Sequence, residues 1–307
     1  MRSLRFFISA SVVLLAACSG ITSTSVPGNQ VANGSRAAAS ASGSSVPICS
    51  TLTGCPPVSK IYITREAGET LNTFTGTGAP STPNISDSNI PFGVAVDSSG
   101  KIYIANDNNT LTTYLQNGTQ TTPTIATGTG PSGVAVDKNG KIYVANNVGD
   151  TVTTYTPSGA PTTPTLTFHN NAGPTDVAVD GSGKIYVVLG EAGEVVTFTP
   201  AGVQTTPTIT GLETPIGVAL DSNGKIYVTT DGDGAVHTFT AAGTPTTPTI
   251  TGLGQPELLA VDPFGRIYVI DNGSNPGKLD TFSSNGTPTS PTITGLFGGP
   301  FGVAITP

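Results

Sequence analysis

One block, Pro-x-Gly-Val-Ala-Val-Asp-x-x-Gly-Lys-Ile-Tyr-Val, constrains the fold more than any other feature, because it returns at nearly constant spacing. Its Ile-Tyr dipeptide follows a cation at Lys60, Lys101, Lys141, Lys184, Lys225 and Arg266, at intervals of 40 to 43 residues. After the block each unit runs through a polar loop, a Thr-rich stretch ending Thr-Phe or Thr-Tyr, a Gly turn, and Thr-Thr-Pro-Thr-Ile-Thr or a close variant. Four short strands in a period of about 40 residues mark a propeller blade and are too strand-rich for a helical solenoid. The low charged fraction of 10% and the abundance of Gly and Pro fit short strands with tight turns.

The two ends of the array are out of phase in a telling way. The first unit opens at Lys60 with no Gly-Val-Ala-Val before it, and the last closes on Gly302-Val303-Ala304-Ile305-Thr306 with no Lys-Ile-Tyr after it. The C-terminal strand therefore completes the blade that Lys60 begins. This predicts an all-β, six-bladed β-propeller over residues 57–307, closed by pairing of the C-terminal strand with the first blade.

Each repeated residue has a structural job. Gly-Val-Ala-Val suits the innermost strand, where blades crowd the axis. Asp-x-x-Gly is hairpin turn chemistry, with Asp bonding its own backbone and Gly taking a positive φ. Ile-Tyr-Val alternates between the two sides of a strand, so that each side packs on a neighbouring blade. Pro123, Pro164, Pro207, Pro248 and Pro291 donate no hydrogen bond and belong on the outermost edge, where they block pairing with another molecule.

Ahead of the repeats, residues 1–17 pair Arg2 and Arg5 with an apolar run, the pattern of an export signal, and the run is too short to span a bilayer. Leu15-Ala16-Ala17-Cys18 resembles the lipobox of bacterial lipoproteins, which implies lipidation at Cys18. By the same resemblance Ser19 favours the outer membrane. Residues 18–56 read as a Gly/Ser/Pro-rich tether, and Cys49 and Cys55 are spaced for a local disulfide in an oxidising compartment. The expected location is the cell envelope, lipid-anchored at the outer membrane or cell surface, with the membrane contacted through the anchor only. The formal net charge of −7, more acidic once Arg2 and Arg5 leave with the signal, excludes nucleic acid as a partner.

The units resemble NHL-type repeats, in the company of gluconolactonase-like and streptogramin lyase-like propellers. The likeness rests on the block quoted above, although the Asn-His-Leu triplet is absent. It implies the propeller fold, with function set by the site. In that strand order, the loops between second and third strands share an upper face with the connections into the innermost strands. Most of the 19 acidic residues fall there, whereas the repeated cations fall beside the lower turns. An acidic upper face suits a cation, a basic peptide or another protein or small-molecule ligand, and the reading is a monomeric binding or scaffold module rather than an enzyme.

Departures from the repeat nominate residues. Asp176 replaces the Gly of Gly-Val-Ala-Val, and Glu257 stands where other units have Phe92, Ser132, Thr175, Ile216 or Phe301. With Asp231 and Asp271 from nearby loops they are candidate oxygen ligands for Ca²⁺ at the upper mouth of the channel. The gluconolactonase-like resemblance implies a divalent ion in that mouth, and hence the alternative of a Ca-dependent hydrolase or lactonase. His169, in the connection that lengthens one interval to 43, is a further candidate base or ligand, and no nucleophile elbow or HExxH motif is present.

Overall fold

The computed structural model describes residues 59–169 and 171–306; Cys18, Cys49, Cys55, the export signal and the tether lie outside the described residues. Blade 1 carries β1 (Lys60–Arg65), β2 (Thr70–Thr75) and β3 (Pro80–Ser86). Blade 2 is β4 (Pro91–Val96), β5 (Ile102–Asn106), β6 (Thr110–Tyr114) and β7 (Gln120–Ala126). Blade 3 is β8 (Pro131–Val136), β9 (Ile142–Asn146), β10 (Thr151–Tyr155) and β11 (Pro161–Thr167). Blade 4 is β12 (Pro174–Val179), β13 (Ile185–Leu189), β14 (Glu194–Phe198) and β15 (Gln204–Ile209). Blade 5 is β16 (Pro215–Leu220), β17 (Ile226–Thr230), β18 (Ala235–Phe239) and β19 (Pro245–Thr251). Blade 6 is β20 (Pro256–Val261), β21 (Ile267–Asp271), β22 (Gly277–Phe282) and β23 (Pro288–Leu296), and β24 (Pro300–Thr306) follows.

All six sheets are four-stranded and antiparallel, and β24 is the innermost strand of the sheet β24-β1-β2-β3. Ile61 pairs with Ile305, Tyr62 with Ala304 and Ile63 with Val303, so the ring is shut as its phase predicts. Innermost strands are buried along their whole length, while outer strands such as Pro161–Thr167 alternate exposed and buried residues. The crowding is severe enough to require glycine: a Cβ on Gly133 would stand 2.5 Å from Asp176 Oδ1. The inward strands also bulge at their upper ends, where two residues (Phe92 and Gly93) oppose one (Ala105) between the Pro91–Asn106 and Val94–Ile104 pairs.

Packing between blades follows the alternation. The tyrosine of each second strand faces the next blade: Tyr143 packs with Val177, Ile185 and Val187, and Tyr268 closes the seam against Ile61, Val303 and Ile305. At the lower end the tyrosine hydroxyl reaches the turn. Asp97 Oδ1 accepts hydrogen bonds from the Ser99 and Lys101 N–H groups at 2.8 and 3.0 Å, and its Oδ2 accepts from Tyr103 Oη at 2.9 Å. Equivalent Asp–Tyr bonds occur at Asp137, Asp180, Asp221 and Asp262.

Blade 1 breaks this pattern because its two inner strands come from opposite ends of the repeat array and no Asp-x-x-Gly turn joins them. Thr306 stands in the Asp position and bonds Ser59, leaving the buried Tyr62 hydroxyl without a partner among the described residues. The repeated cation also has a role that spacing did not reveal. Lys60 Nζ donates to the Thr82 carbonyl at 2.6 Å, and Lys141, Lys184 and Lys225 reach the matching carbonyls of Thr163, Thr206 and Thr247. Those carbonyls precede the outer-strand prolines, so the cation stitches the second strand to the blade edge. Lys101 Nζ lies 5.1 Å from the Tyr103 ring centroid, a cation–π contact found at Lys141, Lys184, Lys225 and Arg266 as well.

Candidate functional site

The upper face is a set of pinned loops. In blade 2, Asn109 has φ 62°, its carbonyl accepts the Thr127 N–H at 3.0 Å, and its side chain accepts the Gly130 N–H at 2.8 Å. Asp150 repeats this in blade 3, with φ 50°, its carbonyl holding the Phe168 N–H at 2.8 Å and its carboxylate the Gly173 N–H at 2.9 Å. Asn and Asp tolerate the left-handed region that such turns need. Each innermost strand is entered through an X-Pro step, and Gly130, Gly173 and Gly299 take positive φ there. Ile90 and Thr214 occupy the same step at φ 59° and 52°, a strained conformation for β-branched residues.

These loops consume part of the acidic character. Asp87 is buried and accepts from the Asn89 N–H, Thr112 Oγ1 and Tyr114 Oη. Asp233 is shared between Thr230 and His237 Nε2, the latter at 2.7 Å. Glu69, Asp107, Glu191 and Glu213 remain exposed, so the acidic face exists but is thinner than a count of carboxylates suggests.

The nominated ligands are not gathered into one centre. Asp176 is fully buried: it accepts the Val177 N–H at 2.8 Å through Oδ1 and the Val218 N–H of the next blade at 2.9 Å through Oδ2, so it clasps two innermost strands. Glu257 is 3% exposed. Burial first, then the charge of Asp231, with Glu66 and Asp271 adding and a hydrogen bond with Asn272 opposing, pushes its carboxyl up to about 8. Burial also raises Asp231.

Asp271 Oδ1 accepts the Gly254, Gln255 and Gly273 N–H groups at 3.0, 2.9 and 3.1 Å. Burial alone would raise its carboxyl, but those donors and Lys278, 3.3 Å away, outweigh it and hold the carboxyl below its ordinary value. Asp231, Asp271 and Glu257 are thus neighbours electrostatically. Among the described residues, however, no group of three or more His, Cys, Asp and Glu side chains is disposed to hold a metal ion, so the nominated set does not fit Ca²⁺.

A well-formed concavity lies elsewhere. A cavity of about 750 Å³ opens on the upper face over blades 3 to 5, lined by Val148, Thr175, Gly190, Leu212, Thr214 and Ile216 among others. Thr175 and Ile216 are the channel-mouth positions of blades 4 and 5, and Thr175 Oγ1 donates to the Ile216 carbonyl at 2.8 Å. A second recess of about 510 Å³ lies beside it, lined by Phe168, His169, Glu191, Glu194 and Phe198. Glu191 and Ala192 form a wall common to both. Of the nominated residues only His169 borders either cavity. The inner cavity escapes sequence reasoning because its lining is largely glycine and apolar side chains; the signals that bear on it are the 43-residue interval and the run Gly190-Glu191-Ala192-Gly193.

No family model matches the chain, and no curated protein matches it. Solved structures do. A Bacteroides caccae protein of unknown function aligns at TM-score 0.68 and 15% identity, covering 82% of this chain and 99% of that one. A nidogen/laminin complex chain aligns at 0.66 and 14%, covering 81% and 98%. A catalytically inactive virginiamycin B lyase from Staphylococcus aureus, solved with quinupristin, aligns at 0.58 and 13%, covering 75% and 79%. The chain shares their propeller fold, which places it structurally with streptogramin lyase-like and other propellers. At these identities the likeness is one of fold alone.

Proposed function

We propose that this chain is an extracytoplasmic, lipid-anchored binding module, held to a bacterial membrane through Cys18 and presenting the upper face of its propeller to a protein or small-molecule ligand. The cavity of about 750 Å³ at the channel mouth is the observation that carries the binding function. Its volume is in the range of small-ligand and peptide side-chain sites, and its mix of apolar walls with a few polar groups is the usual composition of such sites. The exposed carboxylates around it bias the ligand toward neutral or cationic groups. The anchor and the export route rest on residues 1–18. Among the described residues that line the cavity no nucleophile is paired with a base, and catalysis is not part of the proposal.

The test is selective capture from cell-envelope extract by the immobilised mature protein. Val148, 52% exposed on the inner cavity wall, is replaced by Trp to fill the space; Ser98→Trp on a lower turn is the control. The wild type and Ser98→Trp retain the same bound species and Val148→Trp loses it. Identical capture by all three would rule out the upper cavity as the binding site.

A further inference from the structure

We propose that the recess between blades 3 and 4 is a binding site for a basic side chain, Arg or Lys, of a polypeptide partner. Two aromatic rings and two carboxylates meet there. Phe168 and Phe198 are half-buried and stand edge to face, centroids 5.9 Å apart at 75°. Glu191 and Glu194 line the same recess of about 510 Å³, together with His169 and Gln204. Neither glutamate is in an ion pair among the described residues. Lys184 of the same blade points away, donating to the Thr206 carbonyl of the outer strand. A basic side chain offers methylenes to the aromatic edges, its charged head to ring faces, and N–H donors to the carboxylates, so it matches both the aromatic and the acidic walls.

The combination is confined to this recess, against a repeat that supplies internal controls. The residue whose N–H bonds the pinned turn carbonyl is Asp87, Thr127, Leu212 or Leu253 elsewhere, and an aromatic, Phe168, only here. The first residue of the third strand is Thr70, Thr110, Thr151, Ala235 or Gly277 elsewhere, and a carboxylate, Glu194, only here. An aromatic at the Phe198 position is common to all blades and belongs to the fold. The two departures flank one concavity, and the pairing of Glu194 with Leu189 and the anchoring of Phe168 and Gly173 on Asp150 fix both walls before any ligand arrives. Preformed walls lower the ordering cost of binding. A peptide crossing the Glu191–Ala192 wall would set the neighbouring side chain in the inner cavity. That second contact rests on the function proposed above; the basic-side-chain site does not.

The probe is N-acetyl-L-arginine amide, titrated into ¹⁵N-labelled mature protein, with the neutral isostere N-acetyl-L-citrulline amide as control. Saturable amide shifts at Phe168, His169 and Glu194 are expected, with a dissociation constant on the order of 1 mM. Affinity falls about tenfold or more for citrulline and for the Glu191→Gln/Glu194→Gln protein, whose spectrum also reports that it is folded. Equal response to citrulline, an unchanged response in the double variant, shifts centred on Glu257 and Asp231, or no shift overturns the site. Val148→Trp keeps the arginine response whether or not it loses capture from extract, so the two proposals fail separately.

Discussion

Glu257→Gln gives the sharpest check on the electrostatics of the channel mouth. Glu257 has an ordinary carboxyl value of 4.5 and is pushed up to about 8 in the fold, by burial and by Asp231, Glu66 and Asp271. Between those values the folded state holds a proton that the unfolded state has released. Stability therefore falls as pH rises through that window, by up to about 1.4 kcal/mol per pH unit, and the sum is at most roughly 5 kcal/mol. Glutamine preserves size and hydrogen bonding with Asn272 but carries no charge; titrating groups that do not interact with Glu257 cancel between the two proteins, while relief of Asp231, Glu66 and Asp271 from its charge adds to the variant's advantage at high pH. Urea unfolding at pH 5, 6, 7, 8 and 9 measures the difference. The variant should match the wild type at pH 5 and pull ahead by several kcal/mol at pH 9. A stability difference that stays constant across this range would refute the reasoning.

The broken turn in blade 1 predicts an asymmetry between equivalent tyrosines. Tyr103→Phe strands the Asp97 acceptor and should cost about 1 kcal/mol, whereas Tyr62→Phe removes a buried hydroxyl without a partner among the described residues and should be neutral or stabilising, as read by thermal unfolding. Equal losses in the two variants would show that the seam satisfies Tyr62 in some other way. Because the nominated carboxylates do not converge on an ion, EDTA and added CaCl₂ should leave the melting temperature unmoved. A specific ion at 100 times its dissociation constant would instead stabilise by about 2.7 kcal/mol, an increase visible by calorimetry.

How much of this could be read from the chain differs sharply between fold and site. Spacing of the Ile-Tyr dipeptides yields six blades, and the phase of Gly302–Thr306 against Lys60 yields the closure that Ile61–Ile305 pairing realises. Asp97, Asp137 and their equivalents are legible as turn residues because Asp-x-x-Gly acts within a few residues of itself. The reach of Lys60 to Thr82 was not legible, since it joins strands 22 residues apart across a blade.

Sites suffered most. Asp176 and Glu257 stand out equally as departures from the repeat. One became an acceptor for two backbone N–H groups, and the other a buried carboxyl facing like charges, and only the neighbours decide which. The cavity over blades 3 to 5 and the recess between blades 3 and 4 are shapes bounded by residues far apart in sequence, such as Val148 with Ile216 and Phe168 with Phe198. The chain alone determines what is local and periodic: strand alternation, turn chemistry, blade number and ring closure. What each unusual residue faces, and where space is left open, comes into being only when six nearly equivalent sheets pack around one axis, because burial and concavity are properties of that packing and of no single repeat.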